Sequence, residues 1–164
     1  MVEKLKDLLS LEKILKDLKS KDKKIVTTNG CFDLLHSAHL FLLKKAKEKG
    51  DILIVLINDD NSIKRYKGEK RPIIPEKQRA AMLSAMECVD YVLIYEEDTP
   101  LKVLECIKPD IHVKGKSYDL DKIKDEENLV SSWGGKLITI NEPEQEGIST
   151  TKIIEDILKV HDNL

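Results

Sequence analysis

The chain has 164 residues, enough for one domain whose core buries about 70% of the surface exposed in the unfolded state. Lys and Arg total 28 against 30 Asp and Glu, a net charge of -2, which leaves no global field to attract a nucleic acid or an anionic membrane. With 41% hydrophobic and 35% charged residues global disorder is excluded, no apolar run is long enough to span a bilayer, no secretory leader is evident, and the expected location is the cytoplasm.

Leu5, Leu8 and Leu9, then Leu11, Ile14, Leu15 and Leu18, have helical spacing among lysines, and Ser10 is placed to cap a second helix beginning at Leu11. This amphipathic stripe is expected to pack on its own domain. Ile25 to Thr28 predicts a strand that stops at the turn residues Asn29 and Gly30. From Leu34 to Lys49 one face carries Leu35, Leu42, Leu43 and Ala46, lysines fill the last turns, and Gly50 occupies the position of a C-terminal cap. Ile52 to Ile57 predicts a second strand, Asn58 to Arg71 a loop, and Glu76 to Met86 a helix. Tyr91 to Ile94 reads as strand, Pro100 to Ile107 as a helix with Pro in its first turn, and Ile111 to Val113 as strand. Asp125 to Trp133 predicts a helix stopped by Gly134 and Gly135, followed by a fifth strand over Leu137 to Ile140 and a closing helix over Thr150 to Val160.

Apolar strands alternating with helices specify the α/β class: a five-stranded parallel sheet covered on both faces, in three α/β/α layers. The expected plan is a single domain over 1–164, with 1–22 a helical N-terminal segment and 23–164 the core. Such sheets bind ligands beyond the carboxyl ends of their strands. After the first strand, Gly30 allows close backbone approach to an anion, and the following helix start favours phosphate. On that helix start His36 and His39, three apart, share one face. The second loop holds Lys64, Arg65, Lys67, Lys70 and Arg71. Only three arginines exist, and all of them, Arg65, Arg71 and Arg79, fall in or near this segment, a bias that favours a bidentate polyphosphate contact.

Lys114-Gly115-Lys116-Ser117 is no P-loop, because Asp110 stands where that motif needs Gly. A dinucleotide GxGxxG and an HExxH are also absent, so no metal ligands are assigned. Gly147 to Thr151 precedes the last helix, where hydroxyls can cap it and N–H groups can meet an anion. His112 and His161 receive no functional role. Three cysteines, Cys31, Cys88 and Cys106, lie far apart in no CxxC pair and read as reduced thiols; Cys31 is taken as packing.

The segments Thr28 to His36, Lys67-Gly68, Arg71-Pro72, Asp98-Thr99-Pro100, Val113-Lys114-Gly115 and Ser149 to Ile154 resemble, in order, the nucleotidylyltransferase superfamily marked by a His-x-x-His helix start. Within it they look like the adenylyltransferase domain of ADP-heptose synthases. The resemblance covers about Leu11 to Ile157. It implies a Rossmann-like sheet of strand order 3-2-1-4-5 and transfer of AMP from ATP to a sugar 1-phosphate, heptose 1-phosphate, with release of pyrophosphate.

Carried over by position, His36, His39 and Lys114 are the catalytic residues implied. Asn29, Gly30, Cys31, Phe32, Lys67, Arg71 and Gly115 join both histidines around the nucleotide, with Ser149, Thr150 and Thr151 on its other side. Asp33, Asp59, Lys114 and Tyr118 are implied on the acceptor side. Mg2+ would arrive with ATP, since it prefers phosphate oxygens and water to a protein cage. The resemblance further implies a homodimer and a separate sugar kinase that supplies the phosphorylated acceptor. One residue departs from the family's His-x-Gly-His: this chain reads His36-Ser37-Ala38-His39. Ala38 keeps open a nucleotide-binding protein with little catalysis. A glycerol-3-phosphate cytidylyltransferase and a flavin-dinucleotide-forming adenylyltransferase are the enzymatic alternatives.

Overall fold

The computed structural model describes residues 3–115, 120–141 and 148–161. Five strands, β1 (Ile25–Gly30), β2 (Ile52–Asn58), β3 (Tyr91–Tyr95), β4 (Ile111–Gly115) and β5 (Lys136–Ile140), pair in parallel in the order β3-β2-β1-β4-β5. Helices are α1 (Leu8–Ser20), α2 (Ser37–Lys47), α3 (Asp60–Lys67), α4 (Glu76–Ser84), α5 (Leu101–Ile107), α6 (Leu120–Ser131) and α7 (Thr150–His161). This is the parallel sheet covered on both faces that the alternation of elements predicts, with the Rossmann-like strand order that the family resemblance implies. Among the described residues no helix is long and apolar enough to cross a membrane.

Because strand side chains alternate between faces, β1 and β2 feed two cores. Val26, Leu53, Val55 and Ile57 pack with Leu43 and Ala46 of α2 and Leu83 of α4. Ile25, Ile54 and Leu56 pack on the other face with Leu11 and Leu15 of α1, Leu104 of α5 and Val130 of α6. Each fully buried side chain of this kind contributes about 1.5–3 kcal/mol, so both layers of helices are held on the sheet without a covalent staple.

Several boundaries differ from the sequence reading, each for a local reason. The N-terminal segment forms one helix, because Asp7 accepts the Ser10 amide at 2.8 Å and so caps α1 a turn before Ser10 could. Leu5 stays outside it: Lys4 and Lys6 exchange 3.0 Å backbone bonds with Val92 and cover the edge of β3. Gly50 is not a left-handed cap. A Cβ there would lie 2.7 Å from Val26 Cγ2 and 2.9 Å from the Lys24 carbonyl, so the constraint is close approach to β1. Gly134, with φ 88°, does terminate its helix as expected. Asn29 and Gly30 finish β1 instead of turning, and the left-handed residue of that loop is Phe32, with φ 47°. Pro100 sits at the N-cap of α5, one position before the helix.

The segment expected to be a loop after β2 contains α3, an almost wholly polar helix in which only Ser62 and Ile63 are buried. Hydrophobic periodicity cannot reveal such a helix. Its real signals are Asp59 as N-cap and Gly68, at φ 92°, as stop.

Candidate active site

Two adjoining cavities open at the carboxyl edge of the sheet, lined by the ends of β1 and β4, by segments that follow β1, β2 and β3, and by the start of α7. The first, about 380 Å³, is floored by Asn29, Gly30, Cys31 and Phe32 at the end of β1. His36 and His39 enter from the start of α2, Lys67 from the end of α3, Arg71 from the segment that follows, and Gly115 from β4. Ser149, Thr150 and Thr151, at the start of α7, close the opposite wall. Every residue assigned to a nucleotide by position thus lines a single cleft.

His36 stands at the N-cap of α2 in extended conformation, and its ring stacks on His39 with centroids 3.8 Å apart and planes 25° apart. Phe32 tilts against His39 at 5.1 Å, possible because its left-handed backbone turns the ring back over α2. Burial, then the neighbouring His36 and Lys67, push the His39 pKa down to about 4, so its imidazole is neutral at pH 7. Its buried Nδ1 makes no hydrogen bond among the described residues, a polar atom for which a ligand is the natural partner. Two helix N-termini, of α2 and α7, border the cleft with Lys67 and Arg71, an electrostatic setting for a polyphosphate. The Ser149 Oγ accepts the Lys152 amide at 3.1 Å, so it caps α7 while lining the cleft. Burial raises the Cys31 thiol, which argues against a thiolate nucleophile there.

Two carboxylates expected on the acceptor side are engaged in internal bonds. The Asp33 carboxylate is buried and accepts the Ile73 amide at 2.9 Å, the Ile74 amide at 2.8 Å and Arg71 Nε at 2.8 Å. It lines the first cleft, pins the 71–74 segment beside it and so positions Arg71. Asp59 lines neither cavity: its Oδ1 accepts the Ser62 amide at 2.7 Å and caps α3. Tyr118 lies outside the described residues. Arg79 is also no phosphate contact. Buried to 1%, it binds the carbonyls of Cys31, Asn58 and Ile74 and the Asp60 carboxylate, tying together the loops beneath the cleft.

Lys114 opens into the second cavity, about 350 Å³, which shares Asn29 and Tyr66 with the first. Lys114 is 1% exposed; its Nζ donates to Asn29 Oδ1 at 2.6 Å and meets Glu126 of α6 at 2.8 Å. Asn58, Tyr95 and Thr99 add neutral polar groups, while Arg65 is bound to Asp98 at 2.7 Å across the rim. The sequence reading passed over Tyr66, Asn58, Tyr95 and Glu126. A signal existed for part of this set: in the apolar interior strand β4, His112 and Lys114 are polar at alternate positions, and β1 carries the polar run Thr27, Thr28 and Asn29. Among the described residues no group of three or more His, Cys, Asp or Glu could hold a metal ion.

The sequence matches the cytidylyltransferase-like family over residues 27–156, from β1 into α7. The chain belongs to the cytidylyltransferase-like family. It is 51% identical over 156 residues to the bifunctional protein HldE of Helicobacter pylori, covering 95% of this chain and 32% of the relative. It is 46% identical over 160 residues to the bifunctional protein HldE of Geobacter metallireducens, covering 96% and 32%. The chain therefore spans about a third of the length of the curated relatives it matches. Its fold is similar to the crystal structure of the lipopolysaccharide core biosynthesis protein from Thermoplasma volcanium, with TM-score 0.63 and 28% identity over 76% of this chain and 99% of that one. Pantoate-beta-alanine ligase from Francisella tularensis, at TM-score 0.65 and 19% identity over 96% and 77% of the two chains, shares the fold alone. The family match runs through both cavities, since it includes His36, His39, Lys114, Glu126 and Thr151.

Proposed function

We propose that this chain transfers AMP from ATP to heptose 1-phosphate, giving ADP-heptose and pyrophosphate. The observation that carries the reading is the first cleft, where a stacked, partly buried histidine pair meets two helix N-termini, Lys67 and Arg71. The similarity to HldE and to a lipopolysaccharide core biosynthesis protein supports a heptose as the acceptor. ATP would occupy the first cleft, with His36 and His39 on its phosphates. The acceptor would enter the second cavity, where Lys114 offers charge to its phosphate and the neutral polar groups suit sugar hydroxyls.

The two sites share Asn29, so a phosphate held at one is adjacent to a phosphate held at the other. An acceptor phosphate oxygen attacks the α-phosphorus in line; the bond to the bridging oxygen breaks and pyrophosphate departs. The chain's contribution is orientation and charge neutralisation, without a covalent intermediate. The neutral imidazole of His39, with His36 stacked on it, donates a hydrogen bond to the oxyanions as negative charge grows toward the leaving pyrophosphate. Mg2+ carried by ATP fits this site, because the one described carboxylate of the first cleft, Asp33, is saturated by internal bonds. The metal would neutralise phosphate charge while keeping its ligands from phosphate and water. The work of the whole chain as one domain in the cytoplasm, as a homodimer and downstream of a separate sugar kinase, belongs to the same proposal.

The test is Mg2+-dependent pyrophosphate release, with ATP or CTP offered separately against heptose 1-phosphate, glycerol 3-phosphate or flavin mononucleotide. Release with ATP and heptose 1-phosphate only is the expected result. Release with another pair reassigns the substrate. Silence in every combination, from folded protein that binds nucleotide, overturns the enzymatic reading in favour of a binding protein.

A further inference from the structure

Between the two cavities and the core lies a cluster of polar side chains that packing does not require. Thr27 and Asn29 of β1, and His112 and Lys114 of β4, project from one face of the two central strands, with Thr27 in register with His112. That face otherwise packs Ile25, Ile54 and Leu56 against α1, α5 and α6. Thr27 and His112 are fully buried, and Lys114 and Glu126 are 1% and 4% exposed. Apolar residues of similar volume would serve a core at least as well, because burying charges is costly even when they are paired.

The bonds run in one direction. His112 Nδ1 lies 2.8 Å from Thr27 Oγ1, His112 Nε2 lies 3.1 Å from Glu126 Oε2, and Glu126 meets Lys114 Nζ through both oxygens, at 3.0 and 2.8 Å. Burial holds the His112 pKa down, so the ring is neutral. An ionised carboxylate only accepts, so the ring proton belongs on Nε2 and Nδ1 accepts from the Thr27 hydroxyl. Burial works against the charge on Glu126, yet the His112 hydrogen bond and the Lys114 charge keep its carboxyl below the usual range. The relay thus ends on an ionised carboxylate fixed by a neutral brace, facing the ammonium of Lys114.

We propose that His112 and Glu126 are positioning residues, which hold the Lys114 ammonium charged and aimed into the second cavity to receive the phosphate of the acceptor. The inference rests on the reading of that cavity as the acceptor site. The other ionisable groups of the cavity are Asp125, Tyr66, Tyr95, Arg65 and Asp98; Arg65 and Asp98 pair with each other at 2.6 Å, while Glu126 meets the Lys114 ammonium through both carboxylate oxygens. Removing the Glu126 charge leaves the ammonium buried without its counter-charge, and it then gives up its proton at lower pH.

The test compares the full chain with Glu126→Gln, His112→Gln, Lys114→Gln and the double variant of positions 114 and 126, varying ATP and acceptor separately from about pH 7 to pH 9. Glu126→Gln is expected to raise the acceptor KM about tenfold at pH 7 and further as pH rises, with the ATP KM within about twofold. In the Lys114→Gln background the same substitution adds nothing further. Equal changes in both KM values without pH dependence, or fully additive losses, overturn the proposal. Should Glu126→Gln not fold, His112→Gln decides by the same criterion, with an acceptor-selective KM increase of about threefold expected.

A second readout does not depend on turnover. The Lys114 Nζ resonance, followed by 15N NMR through a pH titration, is expected to titrate lower in Glu126→Gln and His112→Gln than in the natural chain. Coincident titrations overturn the proposal. If the natural chain turns over no acceptor, the reading of the cavity fails, and the Nζ titration still decides whether Glu126 keeps Lys114 charged.

Discussion

The two cavities share a wall and differ in how their polar groups are partnered. In the first, His39 keeps a buried Nδ1 with no bond among the described residues, and its stacked partner His36 faces the same cleft. In the second, Lys114 and Glu126 are bonded to each other and, through Glu126, to His112 and Thr27 behind the wall, at 2.8 to 3.1 Å. The first is arranged to gain bonds from a ligand, and the second to hold a charge in place before one arrives. A buried polar group left short of partners costs stability that a ligand can restore, whereas a cluster bonded within itself is held in place beforehand.

The largest test of this contrast is removal of the histidines. His36→Ala or His39→Ala is expected to lower turnover about 100- to 1,000-fold while circular dichroism stays unchanged, since stabilising donors at a developing oxyanion contribute that much. A loss of only a few-fold would erase the functional difference between the cavities.

The next concerns pH and folding. His39 in the folded chain takes up its proton only near pH 4, whereas the unfolded chain does so near 6.5. The unfolded state therefore binds more protons between those values, so stability falls as pH drops from about 6.5 to about 4 and is unaffected above that window. The contribution is about 3 kcal/mol, and His39→Gln should flatten this part of a urea-unfolding profile. An unchanged slope would show that His39 is not held neutral by its surroundings.

The smallest effect is expected at Ala38, the second residue of α2 and half-buried there. Ala38→Gly should destabilise by about 1 kcal/mol through helix propensity, visible as a lower Tm, and raise turnover no more than a few-fold. A gain of orders of magnitude would mean that the natural methyl group obstructs the first cleft.

Legibility followed the same division. The first cleft was readable because its residues cluster in sequence where strands end and helices begin, and such chemistry is local: Gly30 at the end of β1, His36 and His39 at the start of α2, Ser149 to Thr151 at the start of α7. The structural bonds of Asp33 and Asp59 were not legible, because a carboxylate in a loop looks alike whether it meets a ligand or caps a neighbouring segment; the 71–74 backbone and the Ser62 amide are brought to them by the fold. Glu126 escaped because a single acid on a charged helix carries no signal until β4 is placed beside it. The helix α3 escaped because it has almost no apolar face.

By itself the sequence determined the α/β class, the five described strands and nearly all of the residues that line the first cleft, since periodicity, turn residues and contiguous motifs are properties of short segments. Tertiary structure alone decided that Asp33 serves Arg71, that Arg79 ties loops together, and that Thr27, His112, Glu126 and Lys114 form one relay. Those bonds join residues up to 85 positions apart, and hydrogen-bond partners at that separation are chosen by the packing of the sheet.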